Sequence, residues 1–337
     1  MKRQPTICIC GGGSLGLVCA GVFLSQGYAV NLLTGHPQNW SHSIKVLDPD
    51  GKLYQGNLNN ISCHAEDVVS EADIVLLCVP GYLIEQTLNN ISPHLRPTTL
   101  VGSVVSSTGF FFIAHKILTG NPLFGFQRVP FIARQREYGK IGDLLGYKPH
   151  LNAVIEMSNN PERDRKLLEA LFLTPVSLLD NFYEVALTNS NPILHTGRLY
   201  ALWGNNIIEP AETQVLFYSD WTNEASEYLI SMDNEFQTLL RALGIKESSI
   251  PRLLTYYESR DAQSLTDKIK SIQAFKAITA PMIQTKEGWI PDYKSRYFTE
   301  DFPFGLKYIR DLAKTHSIDC PTIDRVFEWG MSKINHT

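Results

Sequence analysis

The chain has 337 residues, 44% of them hydrophobic and 19% charged, with a net charge of −4. That length supports two domains with cores of their own. The slight negative charge points away from nucleic acid and anionic membranes as partners, and no apolar run approaches the roughly 20 residues of a membrane span. The opening Met1-Lys2-Arg3-Gln4-Pro5 leads into a short strand and glycines rather than the apolar region of a signal peptide. Six cysteines, Cys8, Cys10, Cys19, Cys63, Cys78 and Cys320, lack metal-ligand spacing with histidine partners. No metal is therefore expected, and buried thiols in a reducing cytoplasm are the simpler reading.

In chain order, residues 6–10 read as a short buried strand, followed by glycines and an apolar helix over 14–26 that Gly27 ends. Residues 29–33 form a second strand. Asp48-Pro49-Asp50-Gly51 is a strong turn signal between two apolar runs, which predicts a hairpin. Residues 72–79, ending at Pro80, and 100–104 are further buried strands. Short apolar runs separated by helical patterns imply an α/β Rossmann-type doubly wound parallel sheet with helices on both faces. Asn160-Pro161 opens a helix to about residue 171 as cap and first-turn proline. The pattern then changes. Amphipathic helices are predicted over 220–243, 265–277 and 301–316, and strand-like runs become scarce. The expected division is a dinucleotide-binding domain, 1–179, and a mostly α-helical substrate domain, 180–337.

Gly11-Gly12-Gly13-Ser14-Leu15-Gly16 fits G-x-G-x-x-G. The pattern alone is weak, but here it directly follows a strand and opens a helix. Gly11 allows the tight turn, Gly13 lets backbone approach a pyrophosphate, and Gly16 lets helix pack on strand. The N–H groups of Ser14, Leu15 and Gly16 then face the phosphates. A glycine-rich turn without a ligand is the alternative. NAD-specific folds usually carry Asp or Glu at the end of the second strand. Here Leu33-Thr34-Gly35-His36 stands instead. Thr34 can hydrogen-bond a 2′-phosphate, and His36 or Lys45 can supply positive charge, which favours NADP(H) over NAD(H). The strand end at Val79 and Pro80, and Ser103 onward, should line the crevice, or be ordinary strand-to-helix turns.

In the second half, Asn191-Pro192-Ile193-Leu194-His195 places His195 in the first turn of a helix. A helix N-terminus disfavours imidazolium, so an acid/base histidine there needs a carboxylate at Nδ1. Asp301 is the first candidate and Glu300 the second. Arg296, in Arg296-Tyr297-Phe298-Thr299-Glu300-Asp301-Phe302-Pro303-Phe304-Gly305-Leu306, offers a guanidinium fork matched to a carboxylate. The plainer alternatives are a structural histidine, Asp301 as a helix cap, and an Arg296 ion pair with Glu300 or Asp292. Taken together with a nicotinamide site, the three describe a reductase acting on a 2-keto acid.

These two segments resemble the octopine/nopaline group of opine dehydrogenases, whose helical domain carries Asn-Pro-x-x-His and, later, Arg-Tyr-x-x-Glu-Asp-x-Pro-x-Gly-Leu. Leu123 to Arg134, with Val129-Pro130-Phe131 inside it, resembles a weaker family segment. The resemblance implies His195 as acid/base, Asp301 as its partner, Arg296 on the keto-acid carboxylate and Gln127 as a substrate contact. It further implies NAD(P)H-dependent reductive condensation of an amino acid with a 2-keto acid, both small-molecule substrates, and is compatible with a homodimer. Two features depart from the family: the chain is shorter, and the 103–109 segment lacks proline-glycine character. A ketopantoate-reductase-like enzyme is the rival reading, but it needs a lysine early in the helical domain, and none occurs from 167 through 245. A non-catalytic NADP(H)-binding sensor would have no use for His195, Arg296 and Asp301 together.

Overall fold

A computed structural model describes residues 4–335, apart from 105, 108 and 205–208. The chain divides into two compact units, Met1–Ala186 and Leu187–Thr337. The division falls seven residues beyond the expected 179/180. Residues 179–184 are tied to the first unit by backbone and side-chain bonds. Leu179 N–H donates to the Ala153 carbonyl (2.9 Å), Asp180 N–H to Glu184 (3.2 Å), and Gln127 Nε2 to the Glu184 carbonyl (3.3 Å).

The first unit carries twelve strands among its described residues: β1 (Thr6–Cys10), β2 (Ala29–Leu33), β3 (Ser43–Leu47), β4 (Leu53–Asn57), β5 (Asn60–Ser62), β6 (Ile74–Leu77), β7 (Leu100–Ser103), β8 (Leu123–Phe126), β9 (Phe131–Glu137), β10 (Ile141–Tyr147), β11 (Leu151–Glu156) and β12 (Val176–Leu178). The main sheet has the order β12-β11-β8-β7-β6-β1-β2-β5. It is parallel except that β11 runs antiparallel to β8. The central strands are buried along their whole length, as expected of a sheet covered on both faces.

A second sheet, β4-β3-β10-β9, was not anticipated. Its β3–β4 hairpin is the one the sequence predicted, with Asp48 Oδ1 accepting from Asp50 N (3.0 Å) and Lys52 N (2.8 Å) across the turn. The helix Ser14–Ser25 lies between the two sheets and is buried on all sides, which explains why its sequence is apolar throughout. Val46 packs so close that a Cβ on Gly21 would sit 2.5 Å from its Cγ2. Fully buried Leu17, Val22 and Phe23 each contribute about 1.5–3 kcal/mol by leaving water. Phe23 meets Phe172 edge-on at 5.3 Å, from the helix Pro161–Phe172 that Asn160 caps as predicted.

Among its described residues the second unit is mostly helical, with one two-stranded hairpin, Met282–Gln284 and Trp289–Pro291. Its helices are Asn191–Trp203, Asn223–Ala242, Ala262–Ser271, Lys307–Thr315 and Pro321–Asn335, with shorter turns between them. Three depart from expectation by more than their first or last turn. The 265–277 pattern breaks after Ser271 into a 3-10 turn, and the last helix was missed although Pro321 marks its first turn. The predicted 301–316 helix starts as a π-helical turn, Phe302–Leu306, before becoming α-helical at Lys307. Pro303 lies within that turn and supplies no N–H. Among the described residues, no helix is long and apolar enough to cross a membrane.

Candidate active site

In the first unit, a cleft of about 580 Å³ opens at the carboxyl ends of β1, β2 and β6. β1 lies where the strand order reverses, which is where parallel α/β sheets bind ligands. Gly11, Thr34 and Val79 line the cleft, together with Gly12 and Gly35. The three motif glycines have three different local reasons. Gly11 has φ +118°, and a Cβ on it would lie 2.6 Å from the Cys78 carbonyl. On Gly16 a Cβ would lie 2.2 Å from the Gly11 carbonyl, so helix and loop touch there. Around Gly13 no atom lies within 4 Å of the missing Cβ. Protein packing therefore does not require a glycine at 13, and the space beside it is open to a ligand.

Gly13 occupies the cap position of the helix without a side-chain bond, and no acidic residue stands in the first turn. The N–H groups there are left to an anion. The Ser14 hydroxyl accepts from Gln135 N (3.2 Å), while Gln135 Nε2 donates to the Gly12 carbonyl (3.1 Å), which holds the loop open. Leu15 is half-buried against the core, and Pro80 caps the helix Gly81–Ile91. This cradle fits a dinucleotide pyrophosphate. After β2, Thr34 N–H donates to the Ser62 carbonyl (3.0 Å), and among the described residues no carboxylate lines the cleft. Lys45 belongs to the second sheet, on β3. Leu83, Gln86, Thr87 and Asn90 also line the cleft and were missed; their spacing of three, four and seven marks one face of the helix Gly81–Ile91.

In the second unit, the helix Asn191–Trp203 begins one residue earlier than expected, with Ser190 at the cap and Pro192 in the first turn. Its start is pressed against the π-helical turn: a Cβ on Gly305 would lie 2.6 Å from Pro192 Cγ. That contact brings Asp301 to His195, and His195 Nδ1 lies 2.8 Å from Asp301 Oδ2. The carboxylate can only accept, so Nδ1 carries the hydrogen and Nε2 faces the other way. The pair is largely buried, with the side chains 12% and 17% exposed. Ring contacts hold the imidazole, from Tyr297 at 4.7 Å and from Phe217 edge-on at 5.6 Å.

Arg296 opens the short helix Arg296–Thr299, is exposed, and immediately precedes Tyr297. Among the described residues its guanidinium forms no ion pair with Asp292 or Glu300. Gln127 lies in the first unit. Its Oε1 accepts from Asn152 Nδ2 (3.1 Å) and one Nε2–H goes to Glu184, leaving a single N–H. Sequence reasoning missed Tyr218, whose hydroxyl lies 3.1 Å from His195 Nε2. It also missed Arg198, whose buried guanidinium donates to the carbonyls of Phe217 (3.0 Å) and Asp220 (2.7 Å). Burial lowers the Arg198 pKa to about 10, which still leaves it charged at neutral pH. Arg198 was legible as the residue one helical turn after His195. Tyr218 carries no sequence signal.

A Rossmann-type nucleotide unit followed by a helical unit with a buried histidine–carboxylate pair places the chain among two-domain NAD(P)-dependent dehydrogenases. Residues 178–334 match the family model of the NAD/NADP octopine/nopaline dehydrogenase alpha-helical domain, and residues 7–123 match that of ketopantoate reductase PanE/ApbA. An opine dehydrogenase of Haliotis discus hannai is 24% identical, over 99% of this chain and 91% of its own. Octopine dehydrogenase solved with NADH and L-arginine superposes with a TM-score of 0.88 at 24% identity, covering 98% of this chain and 90% of that one. Yersinopine dehydrogenase with NADP⁺ bound gives 0.75 at 12%, covering 100% and 92%. Its helical unit matches the octopine/nopaline dehydrogenase domain and almost its whole length is similar to opine dehydrogenases, so the chain is a dehydrogenase of the class acting on CH–NH bonds.

Proposed function

We propose that this enzyme condenses the amine of an amino acid with a 2-keto acid such as pyruvate and reduces the product to a secondary amine dicarboxylate. The observation that carries the reading is the 2.8 Å contact between His195 Nδ1 and Asp301 Oδ2 within the helical unit. Bound at the cleft beside Gly11 and the helix Ser14–Ser25, NAD(P)H would supply the hydride. Asp301 holds the imidazole in one tautomer and supports its charged form, so His195 can yield and recover a proton at Nε2. Arg296 takes the keto-acid carboxylate in two parallel bonds, and fixing the carboxylate fixes the carbonyl face that is presented. Gln127 offers its remaining N–H to the substrate. The missing lysine between 167 and 245 disfavours the ketopantoate-reductase reading, although the nucleotide domain matches that family.

The test is single-turnover NADPH oxidation with pyruvate and a panel of amino acids. Oxidation with at least one pair is expected. Activity with ketopantoate alone would favour the reductase, and no oxidation with any pair would favour a nucleotide sensor. Arg296→Lys should raise the keto-acid KM by roughly tenfold, with a smaller change in kcat, because a point charge cannot replace the fork. An unchanged KM would remove the carboxylate role from Arg296.

The cleft supports a preference for NADP(H). With Thr34 rather than a carboxylate after β2, a 2′-phosphate meets a hydrogen-bonding hydroxyl and no repulsion. NADPH should give the higher kcat/KM, and a higher value with NADH would reverse the assignment.

A further inference from the structure

We propose that the Tyr218 hydroxyl is the group that passes the proton to substrate, with His195 and Asp301 behind it as a three-membered relay. This rests on the acid/base reading of His195. That reading leaves Nε2 as the working nitrogen, yet Nε2 is already met by the Tyr218 hydroxyl at 3.1 Å. The tyrosine is not free to step aside. Its ring stacks on Phe275 at 4.3 Å and lies nearly parallel to Trp221 at 6.0 Å, while Phe217 meets it edge-on at 4.9 Å.

The segment that carries it is fixed as well, since Arg198 grips the carbonyls of Phe217 and Asp220 from inside the unit. Arg198 also lies over the Trp221 ring at 5.3 Å. His195 and Arg198 are three residues apart on one helix, hence on one face. One helix therefore presents the imidazole and also clamps the loop that covers it.

The chemistry suits a relay. With its Nδ1 hydrogen given to Asp301, neutral His195 accepts the tyrosine O–H at Nε2; imidazolium instead donates Nε2–H to the same oxygen. Burial, then Tyr297, Tyr257 and Asp301, raise the Tyr218 pKa, so the phenol keeps its hydrogen at every working pH. In the reductive direction, the substrate heteroatom takes the hydrogen of Tyr218 Oη, and Oη takes the Nε2 proton of imidazolium. The carbon receives the hydride of NAD(P)H. Imidazole is left neutral, Asp301 remains a carboxylate, and the tyrosine ends as it began.

The experiment is Tyr218→Phe, which removes one oxygen and keeps the stacked ring. It is assayed with NADPH, pyruvate and the most active amino acid of the panel. We expect kcat to fall about 100-fold, with Tm and NADPH affinity unchanged. The double variant Tyr218→Phe with His195→Ala should be no slower than His195→Ala alone, within about threefold. The wild-type proton inventory in mixed H₂O and D₂O should be curved, reporting two protons in flight. A Tyr218→Phe enzyme within about threefold of wild type, losses that multiply in the double variant, or a linear wild-type inventory would each overturn the relay. A slow His195→Ala beside an active Tyr218→Phe sinks only the relay. A fully active His195→Ala sinks the acid/base reading and the relay with it.

Discussion

Replacing His195 with alanine is expected to lower turnover by roughly 10²–10⁴, the range that a positioned acid/base group supplies, with the fold intact. The two parts of this expectation have separate grounds. The loss in rate follows from geometry. Asp301 at 2.8 Å fixes the tautomer and balances the charge that the helix N-terminus would oppose. Survival of the fold follows from position, because the histidine sits near the helix start and the surrounding core is built by Phe298, Phe302 and Leu306, all fully buried. Removing the ring does leave Asp301 without its partner in a site only 17% exposed to water, so a modest drop in Tm is expected. Turnover near wild type, measured with saturating NADPH and the best substrate pair, would take the acid/base role away from His195.

The second large effect separates two glycines of one motif. Gly13→Val should leave Tm close to wild type and weaken NADPH binding by about tenfold or more, since each factor of ten is about 1.4 kcal/mol and the added methyls fill the approach of the pyrophosphate. Open space surrounds the site of its missing Cβ, so nothing in the protein resists the change. Gly11→Ala should do the opposite first. Its φ of +118° disfavours any side chain, and the new methyl would meet the Cys78 carbonyl at 2.6 Å. Forcing atoms into packed space costs about 1–3 kcal/mol, so a fall in Tm should appear without any cofactor. Thermal melting of the protein alone, set beside NADPH titration, checks both. A destabilised Gly13→Val protein that still binds NADPH normally would contradict the assignment of the cradle.

The nucleotide unit was readable where local rules are strong. Gly11 to Gly16 follow a strand and open a helix, and both facts depend on neighbours in sequence. The same holds for Asn160-Pro161 and for the turn at Asp48. The second sheet was harder to read because apolar residues mark only the start of β9: Ile132 is 50% exposed and the residues from Arg134 on are polar. Beyond the turn at Asp48, its local signal was Gly139, at φ +65°, which turns the chain from β9 into β10. The domain division moved for a related reason. Residues 179–184 look like a linker, but their backbone bonds go to β11 and to Gln127.

In the helical unit, the sequence by itself determined which groups are available: a histidine in a first helical turn, an arginine, two carboxylates, and no early lysine. Only the tertiary structure decided which of them meet. Asp301 rather than Glu300 reaches His195 because Gly305 lets the π-helical turn press on Pro192, a contact between residues more than a hundred positions apart. Tyr218 reaches the other nitrogen because a buried arginine holds its loop. Propensity and periodicity act over a few residues and fix elements, whereas the separation of two side chains depends on how closely those elements pack. A missing methyl on a glycine changes that by ångströms, as much as a hydrogen bond can tolerate.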